Sequence, residues 1–278
     1  MPGTLFVVAT PIGNLEDITF RAVRVLGEVD LIAAEDTRRT SKLLAHYRIQ
    51  RPLTSYRQHN EARETARLLA RLQAGASIAL VSDAGTPGIA DPGARLVRAA
   101  LEAGCKVVPI PGPSALTAAL SVAGLEAEQF VFMGFPPASG TARSRWFERL
   151  ADEDRPVVVF EAPHRFARTW TELRHNVSND TIVVLREISK INEQLVVKSS
   201  SGVEVPVKTL GELVMVIDRK PKSLEKSGPD PADAARISDA LRAAGFQKDE
   251  ALRLTARALD ARESATKKAI KESKMSVK

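Results

Sequence analysis

Leu5–Ala9 is an almost unbroken apolar run, the pattern of a parallel strand covered on both faces. Val29–Ala34, Ile78–Ser82 and Val107–Ile110 repeat it, with helical spacing between them. The intervening helices are expected at Ile18–Leu26, at Asn60–Ala74 with Asn60 as cap and Gly75 as stop, and at Pro113–Ala123. Another opens at Asp91-Pro92, with the aspartate as N-cap and the proline at the first helical position, and closes at Gly104. Strand and helix in alternation predict a mostly parallel sheet with helices on its faces.

Phe130–Pro137 reads as a connector, because Gly134 and the Pro136-Pro137 pair interrupt any period. A second α/β unit follows, with strands at Val157–Phe160, Thr181–Leu185 and Glu212–Ile217 and a helix at Arg165–Leu173. The serine-rich stretch Lys198–Gly202 reads as a loop, and Arg219–Pro231 as an aperiodic linker. From Ala232 to Lys271 the spacing is helical, giving two amphipathic helices divided at Gly245-Phe246, with a frayed lysine-rich end.

Composition narrows the class. Apolar residues make up 44% of the 278, which suits a globular chain and excludes a disordered or collagen-like one. A single cysteine, Cys105, excludes a disulfide framework and a cysteine-cluster metal site; a reduced, cytoplasmic setting is expected, and no metal. Neither a membrane span nor a signal peptide is expected. The net charge of +6 is unevenly placed: residues 1–218 hold 25 Lys+Arg and 25 Asp+Glu, whereas residues 219–278 hold 15 and 9. Within the neutral part, residues 38–71 carry nine basic residues against Glu61 and Glu64, a local +7. Such patches suit a polyanionic partner or a merely solvated surface.

Three glycine- and proline-rich loops follow predicted strands, where open α/β sheets bind ligands. They are Thr10–Asp17, Ser82–Gly93 and Pro109–Ala115. Small residues there let backbone approach a ligand and leave its amides available. None is a P-loop, since no Gly-Lys-Ser/Thr follows the glycines, and no G-x-G-x-x-G opens a helix.

Pro11-Ile12-Gly13-Asn14-Leu15-Glu16-Asp17, Ala34-Glu35-Asp36-Thr37-Arg38, the Ser82–Gly93 loop and Pro111-Gly112-Pro113-Ser114-Ala115 together resemble the tetrapyrrole methylase superfamily, and in particular its ribosomal-RNA branch. Glu161-Ala162-Pro163-His164-Arg165 and Arg186-Glu187-Ile188-Ser189-Lys190 carry the resemblance into the second half. It implies an S-adenosylmethionine-dependent enzyme that methylates the ribose 2′-hydroxyl of a cytidine in 16S rRNA near the decoding centre, acting on the RNA or the small ribosomal subunit as a homodimer. It also implies an α/β fold, with two domains at 1–133 and 134–218, the cofactor cleft between them, a linker at 219–231 and a small helical domain at 232–278. By position, Pro11, Asp83, Ala84, Gly85, Thr86, Ile89, Ser114, Ala115, Phe160 and Glu161 would line the cofactor. Tetrapyrrole-modifying relatives carry Gly-Gly-Asp-Pro where this chain has Ala84-Gly85-Thr86-Pro87, which favours the RNA branch.

A ribose hydroxyl is a poor nucleophile, so the transfer needs in-line positioning and a proton acceptor. Glu35 and Asp36 are the candidate catalytic groups, with Asp83 and His164 behind them, although a cap or an ion pair with Arg38 or Arg39 accounts equally well for the first two. Arg38, Arg39 and Lys42 are the candidate phosphate contacts. Two other readings stand beside this one: a small-molecule tetrapyrrole methylase, which leaves the basic segments idle, and a non-catalytic RNA-binding protein, which leaves the loops idle.

Overall fold

A computed structural model of the chain describes residues 2–125, 128–177, 180–199, 211–219, 230–259 and 263–276. The chain divides into two compact units, one up to Arg219 and one beyond it.

The first unit opens with β1 (Thr4–Val8), α1 (Phe20–Glu28), β2 (Leu31–Ala34), α2 (Thr37–His46), β3 (Leu53–Ser55), α3 (Glu61–Gln73), β4 (Ile78–Val81), α4 (Ala94–Glu102), β5 (Lys106–Ile110) and α5 (Ala115–Val122). Its sheet runs β3-β2-β4-β1-β5 with every pairing parallel. Every residue of β2 and β4 is buried, as the unbroken apolar runs require when helices cover both faces. Leu5, Leu31, Ile78 and Leu80 meet Leu68 and Leu72 of α3 and Leu96 of α4 on one face. Val8, Ile32, Ala79 and Val81 meet Val25 and Leu26 of α1 and Leu44 of α2 on the other.

Neighbouring strands β1 and β4 therefore send their following helices to opposite faces. A crevice is left at their C-terminal ends, where an open sheet of this kind takes its ligand.

A second sheet follows: β6 (Val131–Phe132), α6 (Gly140–Asp152), β7 (Val157–Glu161), α7 (Pro163–Asn176), β8 (Thr181–Arg186), β9 (Gln194–Ser199) and β10 (Leu213–Asp218). Its order is β6-β7-β10-β8-β9, with β6–β7 parallel and the other pairs antiparallel. Trp146, Phe147, Phe166 and Trp170 of α6 and α7 cover one face. The other face receives Ala119 and Ala123, so the small-residue helix α5 packs on the second sheet although it follows the first.

The helical unit contains α8 (Pro231–Ala243), α9 (Lys248–Ala258) and α10 (Glu263–Ser276), which pack on one another. Two helices were expected there. The lysine-rich end expected to fray is the third, since α10 runs to Ser276.

Other differences are local. Val131–Phe132, expected in a connector and before the boundary at 133, pairs with Val157–Val158 and so belongs to the second sheet. Lys198 and Ser199 end β9 rather than lying in a loop, while 200–202 and most of the 219–231 linker fall outside the described residues. Asn60 stands at the cap position of α3 but gives its side chain to the Arg57 N–H (2.7 Å) instead.

Candidate active site

The three glycine- and proline-rich loops converge. Thr10 and Gly85 exchange backbone hydrogen bonds at 2.9 Å each way, a single antiparallel bridge that joins the loop after β1 to the loop after β4. The Thr86 hydroxyl donates to the Pro113 carbonyl (3.3 Å) and brings in the loop after β5. The first loop is also pressed against the segment that joins β8 to β9. A Cβ on Gly13 would fall 2.4 Å from Lys190 Cγ and 2.9 Å from the Ile188 carbonyl oxygen. Only glycine permits that approach, and it explains why the Gly13 and Arg186–Lys190 motifs occur together.

Between the sheets lies a cavity of about 350 Å³. Its walls are Ala84, Gly85, Thr86, Ile89, Ser114 and Ala115 on the first side and Phe135, Phe160, Leu213 and Val214 on the second, with Glu35 and Asp83 at its floor. That is a small, mostly apolar pocket with a few convergent polar groups. Of the residues expected to line a cofactor, all but Pro11 face it. Pro11 lines a neighbouring cavity of about 260 Å³ with Lys42, and Ile12 takes the expected place, because the loop turns between the two.

Glu161 needs a correction of another kind. Its carboxylate is fully buried and engaged within the protein: the Thr169 hydroxyl, the Arg165 guanidinium (2.7 Å) and the Ala162 N–H (2.7 Å) all donate to it. It braces the Phe160 wall from behind. Thr169 in turn accepts from Arg143 (2.7 Å), so Thr169→Val would leave a buried carboxylate and a buried guanidinium each short of a partner. A loss of about 1–3 kcal/mol in unfolding free energy by urea titration is expected, with cofactor affinity little changed.

The acidic floor is built by interlocking loops. The Asp83 N–H donates to Glu35 (3.3 Å), and the Asp36 N–H donates to Asp83 (2.9 Å), tying the ends of β2 and β4 together. Burial, reinforced by the nearby Asp83 charge, raises the Glu35 carboxyl above the ordinary carboxylate range. Asp36 goes the other way. It caps α2 through the Arg38 N–H (2.9 Å) and is gripped by the Arg38 guanidinium (2.8 Å), whose hydrogen bonds hold its carboxyl far below the usual range. Asp36 faces neither the cavity nor a proton-transfer task, so of the two catalytic candidates Glu35 alone is at the site.

Asp91 is the residue missed in the sequence. It does not cap α4, which starts at Ala94 behind Gly93. It lines the cavity instead, and burial raises its carboxyl to about 6, with the Glu35 and Asp83 charges adding and the Ser82 hydroxyl opposing. Asp-Pro before a helix is a strong capping signal, and only the left-handed backbone at Ala90 (φ 61°) and Gly93 (φ 141°) frees the aspartate from that role.

Among the phosphate candidates, Arg38 holds Asp36, Arg39 lies 3.5 Å from Asp83 and lines both neighbouring cavities, and Lys42 lines the smaller one. His164 is exposed in the first turn of α7, away from the cavity. No group of three or more metal-ligating side chains occurs among the described residues.

The model of the Tetrapyrrole (Corrin/Porphyrin) Methylases matches residues 4–203. This chain belongs to that family. The chain is 52% identical over 193 residues to ribosomal RNA small subunit methyltransferase I of Synechocystis sp., covering 69% of each chain. To the protein of that name from Xylella fastidiosa strain Temecula1 it is 45% identical over 254 residues, 89% of this chain and 90% of the other. Among solved structures, uroporphyrin-III C-methyltransferase from Thermus thermophilus complexed with S-adenyl homocysteine aligns over 77% of this chain and 97% of its own with a TM-score of 0.53. At 20% identity, that likeness bears on the fold alone.

Proposed function

We propose that this chain is an S-adenosylmethionine-dependent methyltransferase of small-subunit ribosomal RNA, and that its acceptor is the ribose 2′-hydroxyl of a cytidine in 16S rRNA near the decoding centre. The observation that carries the reading is the cavity between the sheets, ringed by three strand-following loops in a chain whose full-length relatives bear an rRNA methyltransferase name. Its lining fits the cofactor: apolar Ile89, Ala115, Phe160 and Leu213 suit an adenine ring, and Glu35 and Asp83 suit hydroxyl and cationic groups. Ile12, Ala84, Gly85, Thr86, Ile89, Ser114, Ala115 and Phe160 would hold it. When bound, S-adenosylmethionine supplies a methyl group already attached to a sulfonium leaving group, so the protein's task is to orient the hydroxyl and receive its proton.

Glu35 and Asp91 are the carboxylates placed for that task, because both face the cavity and burial holds both carboxyls nearer neutrality than a solvated carboxyl. Two α/β domains, the second beginning at or before Val131, a helical domain at 232–278, action as a homodimer on 16S rRNA or the small subunit, and a cytoplasmic location belong to the same proposal. No helix among the described residues is long and apolar enough to cross a membrane.

The test is transfer of tritium from methyl-labelled cofactor. Label is expected in small ribosomal subunits, at the ribose after nuclease digestion, and not in uroporphyrinogen. Label in the macrocycle alone would replace the reading with a tetrapyrrole methylase, and absence of cofactor binding in calorimetry would leave a non-catalytic RNA-binding protein.

A further inference from the structure

A second and larger cavity, about 720 Å³, opens on the other side of the same carboxylates. Its charged and amide lining residues are Glu35, Gln58, Glu61, Asp91, Arg95, Arg98 and Glu102, and it shares Glu35, Ala90 and Asp91 with the cavity between the sheets. Carboxylates stand at the shared wall, whereas Arg95 and Arg98, exposed on one face of α4 at i,i+3 spacing, form no ion pair among the described residues. Most arginines of the basic 38–71 stretch are differently placed. Arg38 and Arg57 both pair with Asp36, Arg39 lies against Asp83, and Arg63 and Arg67 share the buried Glu64.

We infer that this cavity receives the target nucleotide of the RNA, with Arg95 and Arg98 taking its backbone phosphates and the wall of Glu35 and Asp91 facing its ribose. The assignment rests on the methyltransferase reading above. The two unpaired guanidiniums form a local cationic edge on a lining that otherwise carries Glu35, Glu61, Asp91 and Glu102, and that edge is where a phosphate would bind. The shared wall supplies what methyl transfer needs, a single stretch of protein touched by both reactants. Gln58, exposed at the rim, presents an amide able both to donate to and to accept from a base edge. Glu102, one turn beyond Arg98 on the same face, sets a negative limit to the phosphate path.

The test measures cofactor affinity by calorimetry and the affinity of small subunits, or of a 16S rRNA fragment, across a salt series. Arg95→Ala/Arg98→Ala is expected to weaken RNA binding about tenfold or more and to lower the salt slope by about one to two, as the loss of two phosphate contacts requires. Cofactor affinity and thermal stability should stay at wild-type values, since both side chains are exposed and unpaired. Glu102→Lys should change RNA affinity in the opposite direction and steepen the slope by about one. Unchanged RNA affinity and slope in these variants, with wild-type protein still methylating rRNA, would overturn this inference and leave the functional reading intact. Loss of cofactor affinity in the arginine variant would overturn it as well, by assigning the cavity to the cofactor. Failure of wild-type protein to methylate rRNA would remove the functional reading and this inference with it.

Discussion

Gly85→Asp is expected to abolish cofactor binding, with calorimetric affinity falling by more than about a hundredfold while the protein remains folded. Gly85 sits at φ 80°, a conformation that costs an L-residue about 1–2 kcal/mol, and its two backbone hydrogen bonds to Thr10 fix that conformation. A Cβ there would meet Ile12 Cγ2 at 3.5 Å and the Pro113 carbonyl oxygen at 3.8 Å, both ordinary contacts. The first atom of a side chain thus fits, and the loop tolerates it at the cost of backbone strain. The carboxylate beyond it would project into the cavity that Ile12, Ala84 and Thr86 wall, and take space the cofactor is proposed to fill. Gly85→Ala separates the two effects: it carries the strain without the carboxylate, so its affinity should lie between wild type and Gly85→Asp. Thermal unfolding of both variants near the wild-type temperature shows that the loss is local. Unchanged affinity in a folded Gly85→Asp protein would remove this loop from the cofactor site.

How far the sequence carried the reading depends on the range of the interactions involved. The parallel strands were legible because burial on both faces leaves an unbroken apolar run, as at Ile78–Val81. The ligand loops were legible because glycine and proline at strand ends are local chemistry. Two-residue β6 was not, since Val131–Phe132 becomes a strand only by pairing with Val157–Val158, some 25 residues on, and no periodicity shows in so short a run. Leu213 and Val214 entered the cavity wall unannounced for the same reason, because the fold of the second sheet, not their own neighbourhood, brings them to Phe160. Asp36 and Glu35 are adjacent in the chain and equally acidic. Which one faces the cavity is decided by the start of α2, where capping turns Asp36 away to the Arg38 N–H. Asp91 failed in the opposite sense, since a sound local rule gave it a cap that the left-handed turn at Ala90 and Gly93 withdraws.

Asp91→Asn is expected to lower methyl transfer by about 10²-fold or more while raising stability at neutral pH, and the two effects have one cause. Burial lifts the Asp91 carboxyl to about 6 from an ordinary 3.8, so its ionised form is disfavoured in the folded protein. For an acid shifted upward, the contribution to stability is fully present below the unfolded value and is lost as pH rises through the folded one. Wild-type protein therefore gives up stability from Asp91 between about pH 4 and pH 6, and asparagine, which does not ionise, avoids that loss. The difference in melting temperature between variant and wild type should be positive at pH 7.5 and vanish near pH 4. Taking the difference removes the opposing contributions of Asp30, Asp36, Glu153, Glu172 and Glu187, whose carboxyls are lowered, whereas Glu35, whose charge acts on Asp91, changes with it and is part of the measured effect. Activity runs the other way, because only the ionised carboxylate accepts a proton. Wild-type kcat/KM should fall about tenfold per pH unit below about 6, and in the variant the residual rate should lose the part of that limb which belongs to Asp91. A variant that gains stability and keeps full activity with an unaltered pH limb would show that Asp91 shapes the cavity wall without receiving the proton, and would leave Glu35 as the acceptor.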